Sequence, residues 1–158
     1  MRRRTKKTLW ILVPCLAIAS LTWFAIALRR GIVAAYCECG ITCIIASYAE
    51  EHDGRPPTGW DDLVGYEYYT HYLPMPRTID YAASHLSVDF NALVDFHSGK
   101  IDELPVDVVK PTRGLTAHWI KPKPMLERYF RTRELPHGAF NREYAETARY
   151  YAEHYPID

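Results

Sequence analysis

Hydrophobic and polar positions divide this chain into three stretches that follow different rules. From Thr8 to Leu28 the sequence is uncharged and largely apolar, with Arg2, Arg3, Arg4, Lys6 and Lys7 before it and Arg29 and Arg30 after it. From Ile32 to Ala49 it is again almost wholly apolar, with Glu38 as the only charge. Beyond Pro56–Pro57 the apolar positions become short and periodic. The first stretch predicts a membrane-spanning helix: 21 residues at about 1.5 Å each cover roughly 30 Å, the hydrocarbon thickness of a bilayer. The second predicts a helix through residue 54, apolar on most sides and therefore covered on most sides. Gly54 suits a left-handed cap, and the two prolines forbid continuation.

Further on, Gly59-Trp60-Asp61-Asp62-Leu63 reads as a short helical turn. Leu86, Val88, Phe90, Ala92, Val94 and Phe96 alternate with mostly polar residues, which predicts a strand with one covered face. His97-Ser98-Gly99-Lys100 reads as the turn of a hairpin and Ile101–Leu104 as its returning strand. Val106–Val109 and Leu115–Lys121 are further candidate strands, punctuated by Pro111, Gly114 and Pro122. Asn141 caps an expected final helix with Tyr144, Ala148, Tyr151, Ala152 and Tyr155 on one side. The expected fold is α+β: a long N-terminal helix packed on a small antiparallel sheet, with a short C-terminal helix. The expected segments are a basic cytoplasmic piece 1–7, the span 8–28, a continuing helix 29–54 and an outer domain 55–158.

Charge sets the expected topology. Five basic side chains precede the span and two follow it, so the positive-inside rule keeps the N-terminus in the cytoplasm and places the rest outside. Trp10 and Trp23 sit near the two ends of the run, where indole rings favour the interface. Two other readings compete. Ala25-Ile26-Ala27 fits a signal-peptide cleavage site, although the apolar run exceeds the usual length of about 7–15 residues. Residues 32–49 fit a second span, at the cost of placing the Glu38 carboxylate in lipid.

Residues 31–158 hold 12 Lys and Arg against 19 Asp and Glu, a net of −7. An acidic outer part argues against nucleic acid as a partner. The expected partners are the lipid bilayer, through Thr8–Leu28, and other membrane-anchored subunits. Gly31, Ala34, Ala35, Gly40, Cys43 and Ala46 would let a neighbouring helix approach closely. The cysteines are Cys15, Cys37, Cys39 and Cys43. Their spacing matches neither zinc nor thioredoxin patterns, and Cys39 and Cys43 share a helical face. Tyr66, Tyr68, Tyr69 and Tyr72 form an aromatic group that suits either a domain edge or a recognition surface.

Chemistry leaves little trace. None of the seven histidines stands in H-x-H or H-E-x-x-H. No serine stands in G-x-S-x-G, and no glycine loop suits a phosphate. Asp61 and Asp62 point about 100° apart on a helical turn and do not converge. Asp102, Glu103 and Asp107 lack the glycine-spaced pattern of a calcium loop. Lys121-Pro122-Lys123-Pro124 reads as an extended connector or docking segment. No catalytic, cofactor or metal residue is assigned.

The run Ile44-Ile45-Ala46-Ser47-Tyr48-Ala49-Glu50-Glu51-His52-Asp53-Gly54-Arg55-Pro56-Pro57, then Trp60-Asp61-Asp62-Leu63, resembles the helix exit of type IV pilin-like proteins and type II secretion pseudopilins. Asn91 and Phe96-His97-Ser98-Gly99-Lys100-Ile101-Asp102-Glu103-Leu104 are similar to a hairpin of that group. Lys7-Thr8-Leu9-Trp10-Ile11-Leu12 lacks the peptidase-site Gly of the family, and the span lacks its Glu. The resemblance implies a membrane-anchored structural or secretion-associated component of a bacterial inner membrane, acting through helix contact. The other expectation is a tethered binding module using the Tyr66–Tyr72 surface.

Overall fold

A computed structural model describes residues 2–66, 78–113 and 120–134, with side chains of the first helix from Val13 onward. Helix α1 (Arg2–Glu51) is continuous over 50 residues, about 75 Å at the usual rise. Pro14 lies inside it without ending it. The end is set where the sequence expects it. Asp53 and Gly54 take positive φ, 56° and 85°, and the Gly54 N–H donates to Ala49 O at 2.6 Å. Pro56 and Pro57 then lead into a 3-10 turn, Asp61–Leu63. Asp62 accepts the Thr58 N–H and hydroxyl at 2.7 and 2.8 Å. Those two bonds, backbone first, hold its carboxyl below the usual range.

The remaining elements are α2 (Ile79–His85), β1 (Leu86–Val88), α3 (Phe90–His97), β2 (Val109–Pro111) and α4 (Pro122–Thr132). β1 and β2 pair antiparallel, with Leu86 opposite Pro111 and Val88 opposite Val109. The architecture is α+β, with the long N-terminal helix, a two-stranded antiparallel sheet and a C-terminal helix. That last described helix, α4, is not the one expected after Asn141, which lies outside the described residues.

The long strand over 86–96 does not form. Asp89 accepts the Ala92 N–H at 3.0 Å, an N-cap that turns the chain into α3 after three strand residues. Ala92, Leu93 and Phe96 are buried while Val94 points to solvent, the helical spacing in place of the alternating one. His97–Lys100 is consequently a helix end and not a hairpin turn. Ser98 N donates to Val94 O at 2.9 Å, and Gly99, at φ 74°, donates to Phe96 O at 3.1 Å. Residues 101–104 form no strand; Leu104 plugs the core and its N–H donates to Glu127 Oε1 at 2.8 Å. The partner of β1 comes instead from the segment around Val109. Residues 115–119 lie outside the described residues.

Lys121-Pro122-Lys123-Pro124 is a helix start, not an extended connector. Pro122 stands in the first turn of α4, where a missing N–H costs nothing. Pro122, Leu126 and Tyr129 are buried at helical spacing. Lys123 bridges Glu103 at 3.0 Å and Glu127 at 3.1 Å.

The core is built on the second half of α1. Cys37, Ile41, Ile44 and Ile45 meet Leu63, Ile79, Leu86, Leu93, Val108 and Leu126 in one cluster. On another side, Ala46 and Ala49 pack against Tyr129. Helix α1 touches α2, both strands, the 3-10 turn and α4.

Candidate functional site

The structure divides α1 into a bare half and a wrapped half. From Val13 to Ile26 every residue is exposed, with Leu21 at 68% and Trp23 at 67%. Covering begins at Ala27 and Gly31, on either side of Arg29–Arg30. Beyond Val33, only Tyr36 remains exposed before Glu50; Cys39 and Tyr48 are half-buried and the rest, including Ile41 and Ile45 at 0%, are buried. The boundary in burial thus falls within one turn of the boundary in charge.

The bare half presents mostly apolar side chains. Leu16, Leu21, Trp23 and Phe24 flank Ala19 and Ser20 along a shallow apolar groove. The Thr22 hydroxyl donates to Ile18 O at 2.8 Å, which satisfies it within the helix. Residues Val13–Glu51 form the one described helix long and apolar enough to cross a membrane, at mean hydropathy 1.6. The window that meets this test is 72% buried in the protein. Hydropathy alone therefore does not separate the bare half of the helix from the core half, and exposure does.

The residues expected to meet a neighbouring helix are already covered. Gly31, Ala34, Ala35, Gly40, Cys43 and Ala46 are all buried within their own chain. The cover comes from the chain's own domain: α2, the strands and α4 all pack against α1. The Glu38 carboxylate is buried inside the domain too. Cys37 and Cys43 are buried and Cys39 is half-buried, and none of the three is in a disulfide.

Tyr66 is a core residue at 9% exposure, its hydroxyl donating to Glu51 Oε2 at 2.9 Å. It does not contribute to an open surface; Tyr68, Tyr69 and Tyr72 lie outside the described residues. Asp102, Glu103 and Asp107 do not converge: Glu103 pairs with Lys123, and Asp107 with Lys110 at 2.6 Å. Among the described residues no group of three or more His, Cys, Asp or Glu side chains is placed to hold a metal ion.

Sequence reasoning missed one cluster. Arg30, Ser84, His85, Thr112 and Arg113 line a cavity of about 490 Å³ where α1 leaves the bare half. They come from three separate segments, so no local motif announces them. The sheet register brings them together: Leu86 faces Pro111, and one step beyond, Thr112 N donates to His85 O at 2.8 Å. The Ser84 hydroxyl donates to Tyr81 O at 2.7 Å, and the Thr112 hydroxyl to His85 O at 3.0 Å. His85 Nδ1 lies 2.9 Å from Tyr81 O, with its ring 4.5 Å from the Tyr81 ring. A second hollow, of about 310 Å³, lies between Phe96, His97, Phe130 and Arg131. There the Arg131 guanidinium sits 5.4 Å from the Phe96 ring and donates to Asp102 O at 2.6 Å.

No protein-family model matches this chain, and neither a curated protein nor a solved structure is significantly similar to it.

Proposed function

We propose that the chain is a single-pass, membrane-anchored structural or secretion-associated component of pilin-like or pseudopilin-like layout. Its N-terminus is cytoplasmic and its folded domain stands outside a bacterial inner membrane. The observation that carries the reading is the continuity of α1: one 50-residue helix, bare over 13–26 and the domain's spine over 34–49. A rigid helix shared between bilayer and domain fixes how far, and at what angle, the domain stands from the membrane. The basic flanks favour this orientation through the positive-inside rule.

Burial of Ala35, Gly40, Cys43 and Ala46 moves the expected protein contacts off the 31–49 segment. In this reading they are made between bare halves in the bilayer, where close side-chain packing drives association, and by the outer surface of the domain. The test is the intact mass of the protein from carbonate-washed membranes, with photo-crosslinking from position 21. A mass retaining residues 1–28 and discrete protein adducts are expected. Release by the wash, or a mass beginning after Ala27, would contradict the permanent anchor. A cut near Thr8 would indicate leader processing of the pilin type.

A further inference from the structure

We infer that the cavity lined by Arg30, Ser84, His85, Thr112 and Arg113 holds the phosphate of an anionic membrane lipid; this rests on the anchored reading above. Two arginines line the cavity, and among the described residues neither Arg30 nor Arg113 takes part in a salt bridge. Elsewhere in this acidic domain, Lys100, Lys110 and Lys123 are paired with carboxylates, and Arg131 and Arg133 lie over the Phe96 and Tyr129 rings. Two positive charges on the wall of one cavity favour an anion within it. Guanidinium is suited to phosphate oxygens, which it contacts with two parallel N–H groups.

The ligand is a lipid and not a soluble anion because of where the cavity lies. Arg30 is two residues past Leu28, about 3 Å along the helix axis from the end of the apolar run. That is headgroup depth. The hydroxyl protons of Ser84 and Thr112 are already donated to backbone carbonyls, so those side chains fix the walls while the arginines supply the charge. The volume, about 490 Å³, exceeds what a bare phosphate needs and leaves room for a headgroup substituent.

The test uses the full chain in vesicles of phosphatidylcholine, alone or mixed with phosphatidylglycerol, with native mass spectrometry of the lipids retained on extraction. Retention of phosphatidylglycerol over phosphatidylcholine by about tenfold or more is expected. Each arginine near a membrane surface is worth about fivefold, so Arg113→Gln should lower the preference by about that factor. Arg113→Lys, which keeps the charge but not the two parallel N–H groups and guards against loss of folding, should fall between the native protein and Arg113→Gln. Arg128→Gln, an equal charge change on the exposed face of α4, should leave it unchanged. Equal retention of both lipids, or an Arg128→Gln effect as large as that of Arg113→Gln, would overturn the site. Saturable binding of inorganic phosphate in neutral detergent that displaces the lipid and depends on Arg113 would overturn the lipid assignment in favour of a soluble anion. Flotation separates the two levels. A protein that floats with both vesicle types but shows no preference sinks the site alone; one that floats with neither sinks the anchor and the site together.

Discussion

The two halves of α1 are made of similar residues and live in opposite surroundings. Residues 13–26 and 31–49 are both largely apolar and rich in Ile and Ala, and both belong to one unbroken helix. The first is bare; the second is enclosed by α2, the two strands and α4. What separates them is not local. Nothing in Ile41–Ala46 itself says that Leu93, Val108, Leu126 and Tyr129 will arrive to cover it. The lesson is that an apolar helix names its need for a non-aqueous neighbour but not the neighbour; the tertiary structure covers one half with protein and leaves the other bare.

The sharpest way to break this comparison is to place the same charge in each half. Ile45→Arg buries an unpaired guanidinium in the core and should unfold the domain, a loss above about 4 kcal/mol, while leaving the anchor in the membrane. Leu21→Arg should do the reverse: the domain keeps its fold, and insertion is weakened by about 2.5–3.5 kcal/mol. Circular dichroism and carbonate extraction of both variants separate the two effects. A milder form removes volume without adding charge. Ile44→Ala should cost about 2–5 kcal/mol of domain stability in denaturant titration, whereas Leu21→Ala should leave the domain transition unmoved.

The clamp between the far end of the wrapped half and α4 gives a pH signature. Tyr129 is buried and its hydroxyl donates to Glu50 Oε2 at 3.0 Å. Burial first, and the Glu50 bond second, push its phenol up to about 12 from its ordinary 10. An acid whose folded pKa is raised stays protonated while the unfolded chain ionises, so stability falls as pH rises from about 10 to 12. The loss should approach about 2–3 kcal/mol at the upper end. Subtracting the curve of Tyr129→Phe, which cannot ionise, should isolate it; parallel curves for the two proteins would remove this contribution.

The cap that ends the wrapped half gives the smallest effect. Gly54 holds φ 85°, and an added Cβ would meet the Arg133 guanidinium. Gly54→Ala should cost about 1–2 kcal/mol, seen as a lower denaturation midpoint with an unchanged slope.

Much of α1 was legible in the sequence because its signals are local: a charge-free run between basic flanks, then Gly54 and a proline pair that stop it. The helix start at Asp61–Leu63 was legible for the same reason. The strand over 86–96 was misread because its apolar positions satisfy two periods at once. Leu86 and Val88 belong to the strand and Ala92, Leu93 and Phe96 to a helix, and the deciding residue, Asp89, looks like one more polar position until it caps α3. The prolines of α4 hid a helix, since Pro122 and Pro124 occupy a first turn that has no N–H to lose. The arginine cavity was illegible because Arg30, His85 and Arg113 meet only through the β1–β2 register.

The central claim, that lipid ends and protein cover begins near Arg29–Arg30, is tested most directly by spin labels on single-cysteine variants in vesicles. The native cysteines are replaced by serine or alanine, and labels at positions 21 and 36 are compared for collision with oxygen, which partitions into lipid, and with a water-soluble nickel complex. The account predicts that position 21 collides with oxygen and is shielded from nickel, while position 36, on the exposed Tyr36 side of the wrapped half, collides with nickel. An oxygen-dominated signal at position 36 would place the second half of the helix in the bilayer. A nickel-dominated signal at position 21 would remove the anchor.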